Sequence, residues 1–170
     1  MALRNIVKNG DSILVKHSRQ ITEFNDRLYT LLDDMTETLI ESGGVGLAAV
    51  QVGVLRRAVI VIETNVPEGE PDIVIELINP EIIEQDGEQT GSEGCLSFPG
   101  EYGIVTRPNH VKVRAQDRNG NFFEVEGEAL TARCFCHEID HLEGVLFPQR
   151  AQRMLSDEES NDELYYGDDR

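Results

Sequence analysis

The sequence predicts one α+β domain, and three features of its apolar pattern predict it. A helical pattern lies in the first third of the chain, extended patterns dominate the middle, and a second helical pattern begins at Leu130. The chain has 170 residues, 39% of them hydrophobic, so it is long enough for one sizeable core and too short for two ordinary domains. We therefore expect a single domain over residues 1–153, followed by a tail at 154–170.

The first helix is predicted between Ile21 and Glu41. Apolar residues recur there at helical spacing, with acidic and threonine side chains on the opposite face. Thr22 or Asn25 can cap the start, and the pair Gly43-Gly44 stops the helix. The apolar positions are Phe24, Leu28, Leu31, Leu32, Met35 and Leu39.

Strands are predicted in the middle of the chain. Ala58–Ile62 is a continuous, largely β-branched apolar run that is typical of a buried strand, and Ile73–Ile78 is a second candidate. Val111–Asp117 and Phe122–Glu128 both alternate, with Asn119-Gly120 between them. Because Asn-Gly accepts positive φ at both central positions of a tight turn, the last two segments are predicted to form a hairpin.

A second helix is predicted over Leu130–Leu142, ended by Gly144 and followed by Pro148. The last 15 residues of the chain carry seven acidic side chains and one arginine, a net charge of −6. This composition favours a frayed, solvated segment, so the tail at 154–170 is predicted to be flexible.

The charge balance excludes several classes of partner. Lys and Arg number 15 against 32 Asp and Glu, a formal net charge of −17, so binding to nucleic acid or to an anionic membrane surface is not expected. No apolar run approaches the roughly 20 residues that cross a bilayer, and the first ten residues lack the apolar core of a signal peptide. Three cysteines do not make a disulfide framework. We expect a cytoplasmic protein.

Residues 137–141 read HEIDH and predict a metal site. His137 and His141 are four positions apart, so one helix face can offer both ring nitrogens to a single ion. Glu138 lies beside that face, where a carboxylate can act on a metal-polarised water. His17 and His110 have no partner at ligand spacing and are interpreted as ordinary surface or loop residues.

A catalytic centre of this kind generally has a third protein ligand, and the residues leave two sources for it. The acidic tail offers Glu158, Glu159 and Glu163, as in a zincin-type peptidase, but little holds that segment rigid. The better candidate is Cys95, within EGCLS at residues 93–97, because the neighbouring glycine permits close backbone approach. A cysteine taken alone is more often a small buried hydrophobe.

A third segment, GVGLAAVQ at residues 44–51, is dominated by small residues and ends in Gln51. It lacks the Lys-Ser/Thr of a phosphate-binding loop. Read alone, it predicts a tightly packed turn between a helix and a strand.

Together and in this order, GVGLAAVQ, EGCLS and HEIDHLEG resemble the peptide deformylase family, in its bacterial short form. The resemblance extends from the first helix to about Phe147. It implies mixed or antiparallel sheets packed around a central, metal-binding HExxH helix, with an N-terminal helix. It also implies an enzyme that removes the N-formyl group from the formyl-methionine of nascent polypeptides and releases formate. A zincin-type metallopeptidase using the same helix is the alternative.

The resemblance also implies roles for individual residues. Cys95, His137 and His141 would bind one metal ion, with water as the fourth ligand, and Glu138 would be the general acid and base. Imidazole and thiolate ligands suit several ions; the family points to Fe(II) natively, with zinc, nickel or cobalt as substitutes.

Substrate contacts follow from the same resemblance. The Gln51 side chain and the Leu96 backbone N–H would form the oxyanion hole, and Gly46 would hydrogen-bond the peptide as an added strand. The methionine pocket would be lined by Val45, Leu130 and Cys134.

The sequence departs from the family pattern in three places. Cys136 stands before His137, where Gln is usual, and helical geometry turns it away from the metal. Residues 98–105 read FPGEYGIV where many members carry an arginine, so peptide contacts there are expected to differ. The short acidic C-terminus lacks a basic helix for docking on ribosomal RNA, so the sequence gives little support to proximity to the ribosome. We expect a monomer.

Overall fold

A computed structural model of the protein describes residues 2–63 and 65–160. The described chain contains three α-helices and eight β-strands, with short 3₁₀ helices at Ser12–Val15, Ala49–Val52 and Phe147–Gln149. The α-helices are α1 (Asp26–Ser42), α2 (Leu130–Leu142) and α3 (Asp157–Ser160). The strands are β1 (Gly46–Ala48), β2 (Ala58–Glu63), β3 (Ile73–Asp86), β4 (Gln89–Gly94), β5 (Tyr102–Arg107), β6 (His110–Gln116), β7 (Phe122–Glu128) and β8 (Ala151–Met154).

The strands form two antiparallel sheets. The larger has the order β1-β2-β3-β6-β7, and the smaller has the order β4-β5-β8. Every pairing between these strands is antiparallel. The predicted α+β class is therefore confirmed, with antiparallel sheets.

The strand β2 separates two apolar cores, each covered by one long helix. Its alternate residues Val59 and Val61 join the core that contains Phe135 of α2, whereas Ile60 and Ile62 join the core that packs against α1. Because side chains along a strand point alternately to the two faces, a strand covered on both faces must be apolar throughout. This explains the uninterrupted apolar run that the sequence shows in β2.

The helix α1 begins five residues later than the predicted start and ends one residue later than predicted, at Ser42, before the predicted stop at Gly43. Asn25, one of the two candidate caps, accepts a hydrogen bond from the Leu28 N–H on its side chain, at 3.3 Å. Gly43 ends the helix with a left-handed φ of 76°. Its buried apolar side chains are Leu28, Leu31, Leu32, Met35 and Leu39.

The predicted hairpin is confirmed as the pair β6 and β7, but the predicted turn is wrong. Gly120 has a positive φ of 86°, whereas Asn119 does not. The loop spans residues 117–121, and the Asp117 side chain accepts hydrogen bonds from the backbone N–H groups of Asn119 and Asn121. The aspartate shapes a longer turn, so Asn119 does not need left-handed backbone.

Two further differences from the predicted strands have local causes. The strand β3 continues past Ile78 because the register shifts between Ile78 and Glu81, where Asn79 adopts a φ of 51°, and this shift lets the strand pass Pro80. The small sheet was not predicted, since β4 is a polar segment containing two glycines.

The predicted tail is described only in part. Met154 pairs with Gly103 as the last residue of β8, and Asp157–Ser160 forms one helical turn. The remainder of the tail, residues 161–170, lies outside the described residues. Within the described ranges, no helix has the length and apolar character needed to cross a membrane.

Close contact between β7 and α2 depends on Gly127. A Cβ atom at this position would lie 2.7 Å from Cγ2 of Thr131 and 2.8 Å from Cε2 of Phe135. We predict that Gly127→Ala lowers the free energy of unfolding by about 1–3 kcal/mol, because the helix must move away from the strand. Denaturant titration of both proteins measures the difference.

The matched control is Gly91→Ala, because a Cβ there meets its nearest side chain at an ordinary 3.7 Å. Equal unfolding free energies for the two variants would contradict the importance of this contact.

Candidate metal centre

The helix α2 and the end of β4 bring three ligand-type side chains together. His137 and His141 lie one helical turn apart on α2, and Cys95 follows directly after β4. One ligand atom from each of the three lies within 4.8 Å of the others, and all three residues are buried. We call Cys95, His137 and His141 the ligand triad. Its residues are those that the sequence suggested.

The spacing within the ligand triad fits a metal ion. Sγ of Cys95 is 3.4 Å from Nε2 of His141. Metal–sulfur distances of about 2.3 Å and metal–nitrogen distances of about 2.0–2.1 Å place two ligands of a tetrahedral site about 3.5 Å apart. A thiolate with two imidazoles is also a ligand set that suits divalent transition metals.

Glu93 of β4 holds His137 in its orientation. Its carboxylate, with 0% exposure, lies 2.6 Å from Nδ1 of His137. It also accepts two hydrogen bonds from Arg107, at 2.7 and 3.1 Å, and one from Arg133, at 2.8 Å. A carboxylate on one ring nitrogen fixes the imidazole and leaves the other nitrogen for a metal.

The electrostatics of this region favour a cation. Burial alone would raise the pKa of the Glu93 carboxyl, but the charges of His137 and Arg107 outweigh burial and hold this pKa well below its usual range. Burial lowers the pKa of His137, yet the charges of Cys95 and Glu93 outweigh it and raise this pKa to about 10. The negative charges of Cys95 and Glu93 that favour a proton on His137 also attract a divalent ion, while Arg107 and Arg133 offset part of the Glu93 charge.

The pKa of His141 is shifted in the opposite direction from that of His137. Its burial, together with the charge of His137, lowers its pKa well below the usual value. The imidazole is therefore neutral at pH 7, which is the form that binds metal.

Asp140, the acidic residue within HEIDH, extends the network toward the surface. It accepts a hydrogen bond from Arg107 at 2.8 Å and two from Arg150, at 3.1 and 3.2 Å. Arg107 therefore bridges Glu93 and Asp140. The sequence analysis did not predict this network. The available signal was Glu93 and Asp140, two acidic residues inside the motifs, with arginines later in the chain.

Glu138 and Gln51 lie beside the ligand triad. Glu138 is 1% exposed on the buried side of α2. The Gln51 side chain donates to Oγ of Ser97 at 3.1 Å and to Sγ of Cys95 at 3.5 Å, while its oxygen accepts from Ala48 N–H. The structure thus brings the end of GVGLAAVQ against EGCLS, where half-buried Leu96 follows Cys95.

The structure places the residues predicted to contact substrate in three different environments. Val45 and Cys134 are buried in the core beneath α2. Gly46 begins β1, an outer strand of the larger sheet, and pairs with Val61 of β2. Leu130 is the first residue of α2 and is 40% exposed, so it lies outside that core.

The remaining candidate residues lie outside the ligand triad. Cys136 is buried, and burial raises the pKa of its thiol to about 11, so it stays protonated. The side chain of His17 is 74% exposed, and His110 pairs with Glu126 across β6 and β7. Of the tail candidates, Glu159 pairs with Arg153, and Glu163 lies outside the described residues.

Comparisons with known proteins agree with this geometry. The family model "Polypeptide deformylase" matches residues 3–157. A peptide deformylase of Lachnoclostridium phytofermentans is 58% identical over 163 residues, covering 96% of this chain and 98% of its own.

Solved structures give the same result. The crystal structure of a peptide deformylase from Legionella pneumophila has a TM-score of 0.79 and 40% identity, covering 94% of this chain and 89% of its own. A Met-Ala-Ser-bound class I type b peptide deformylase from Acinetobacter baumannii has a TM-score of 0.80 and 35% identity, covering 87% of this chain and 98% of its own. The chain belongs to the polypeptide deformylase family.

Proposed function

We propose that this chain hydrolyses the N-formyl group of formyl-methionyl polypeptides, using a divalent metal ion held by Cys95, His137 and His141. The buried ligand triad, with a carboxylate and an amide beside it, is the observation that carries the proposal. Members of this family are metal-dependent hydrolases that act on nascent chains. The described residues fit that chemistry, because they combine metal ligands, a proton carrier and a hydrogen-bond donor.

Each residue has a distinct part in the proposed reaction. When bound, a divalent ion acts as a Lewis acid and lowers the pKa of water to about 7. Glu138 accepts a proton from the attacking water and delivers it to the amine as the C–N bond breaks. The water oxygen stays on the formyl carbon, so the products are formate and a free N-terminal amine.

The negative charge that develops on the formyl oxygen needs hydrogen-bond donors. We assign this role to the Gln51 amide and the Leu96 backbone N–H, since donors of this kind contribute about 2.7–4 kcal/mol each in other enzymes. The hydrogen bond from Ala48 to the Gln51 side-chain oxygen supports the assignment, because it directs the amide nitrogen toward Cys95.

The peptide is proposed to add as a strand beside Gly46. The position of β1 as an outer strand supports this placement, since its second edge is not occupied by a strand of the sheet. The Met-Ala-Ser peptide bound to the relative from A. baumannii supports a peptide as the ligand. Val45 and Cys134 are proposed to border the methionine side chain, with Leu130 at the exposed margin.

The metal is proposed to be Fe(II) in the native protein, with zinc, nickel or cobalt as substitutes. The ligand types permit all four. The zincin-type peptidase is not supported: the comparisons identify deformylases, and Cys95 supplies the third ligand-type atom without the acidic tail.

The first experiment measures formate release from formyl-Met-Ala by anaerobically prepared, Fe(II)-loaded protein. We expect fast release, and we expect Cys95→Ala to lose both metal and activity because it removes the one thiolate ligand. Cys136→Ala is the matched control and should retain one metal ion per chain. No release by the metal-loaded native protein would overturn the proposed function.

Glu138→Gln tests the proton carrier. The variant should bind metal as the native protein does, while kcat falls by about 10²–10⁴-fold, because the amide cannot accept and return a proton. Steady-state kinetics and metal analysis measure the two properties separately. The exposed Glu126→Gln serves as the control, and an unchanged kcat in Glu138→Gln would exclude the assigned role.

Glu93→Gln tests the orientation of His137. We expect metal affinity to fall by about 10–100-fold, since the amide no longer holds the imidazole with a full charge. The metal-free variant should also unfold more easily, because the buried guanidinium of Arg133 loses its counter-charge and that of Arg107 keeps only Asp140. Competition with a chelator measures affinity, and Glu84→Gln, at an exposed site, is the control. Native affinity in a folded Glu93→Gln protein would contradict the prediction.

A further inference from the structure

A second cavity lies at the N-terminal end of α1, and its residues have no part in the metal centre. It has a volume of about 200 Å³. The N-terminal segment, the start of α1 and the turn after the Ala49–Val52 helix form its walls. We call it the arginine cleft, because Arg4, Arg27 and Arg56 all line it.

The three arginines stand out against the charge of the chain. Residues 1–60 carry seven acidic and seven basic side chains, so the whole net charge of −17 lies in residues 61–170. Arg4 is paired with Asp34 at 2.9 Å. Across residues 2–63 and 65–160, however, neither Arg27 nor Arg56 forms an ion pair with an acidic side chain, although both are exposed.

The cleft is positive even after its own acidic residue is counted. Glu23 also lines it, so two unpaired guanidinium groups face one carboxylate. The N-terminus of α1, a helix of 17 residues, lies at the same place, and Asp26 in its first turn offsets part of its positive potential. Guanidinium groups bind carboxylates and phosphates in a bidentate manner, which makes an anion the complementary ligand.

The floor of the cleft is apolar. Ile21, Leu28 and Leu31 line it and are 3–6% exposed. These three leave only a small area open to the cleft, and half-buried Val54 lines it as well; an anion with a short apolar body would cover this patch, whereas an inorganic ion would not.

We propose that the arginine cleft binds a small organic anion, with its charged group between Arg27 and Arg56 and its apolar part on Ile21, Leu28 and Leu31. The charged group is a carboxylate or a phosphate monoester. The site is independent of the proposed hydrolysis, since none of its residues belongs to the ligand triad.

The test titrates zinc-loaded protein with phenyl phosphate, phenylacetate and inorganic phosphate, observed through backbone amide NMR shifts. We expect saturable shifts around Leu28 and Val54 with at least one aromatic anion, and weaker binding of inorganic phosphate. The aromatic anion with the lower Kd identifies the charged group: phenyl phosphate indicates a phosphate monoester, and phenylacetate indicates a carboxylate. The double variant R27Q/R56Q should bind at least about tenfold more weakly, because both charge-assisted contacts are lost.

The control is R114Q/R153Q, which removes the same charge from two exposed arginines elsewhere and should bind like the native protein. The proposal is overturned by three results: no saturable shifts up to about 10 mM of either aromatic anion, shifts confined to the metal centre, or undiminished binding by R27Q/R56Q. Because the readout is binding, it is independent of formate release.

Discussion

The buried carboxylate of Glu93 joins the small sheet to the helix α2. It belongs to β4 and bonds to Arg107 on β5 and to Arg133 and His137 on α2. A fully buried charge is stable only when its partners are all in place. This requirement fixes the distance between the strand that leads to Cys95 and the helix that carries the histidines. The geometry of the ligand triad depends on that distance.

The larger sheet provides the second constraint. Because β2 is apolar on both faces, α1 and α2 can cover opposite sides of one sheet, and α2 is held against β1 and β2. The short strand β1 leads directly into the 3₁₀ helix that carries Gln51. The same packing therefore positions the amide beside Cys95 and leaves β1 at the edge of the larger sheet. The structural core and the chemical site share these elements, so packing and chemistry constrain the same residues.

The apolar periodicity of the sequence is sufficient to predict α1, β2 and α2, because each has a single strong pattern. It also predicts the hairpin of β6 and β7. It failed for β4, where Gln89–Gly94 contains two glycines and no large apolar side chain, because that strand is held by its neighbours and by Glu93 rather than by its own propensity. Spacing identified His137 and His141, since both lie on one helix. It could not bring Cys95 or Gln51 to them by geometry alone, because those contacts join separate elements; the glycine beside Cys95 favours it as a ligand, and the resemblance to a family adds Gln51.

The division of the ligand triad between two elements links metal binding to folding. Cys95 and His141 are 46 positions apart, and they approach to 3.4 Å only when β4 is docked on α2. An unfolded chain can offer both histidines at short spacing but cannot hold the thiolate beside them. Preferential binding to the folded state stabilises that state by mass action. A metal ion held by the proposed ligands is therefore expected to strengthen the attachment of the small sheet, whose strand β4 has no large apolar side chain. In this arrangement, an ion bound at the proposed site and the carboxylate of Glu93 would hold the same two parts of the molecule together.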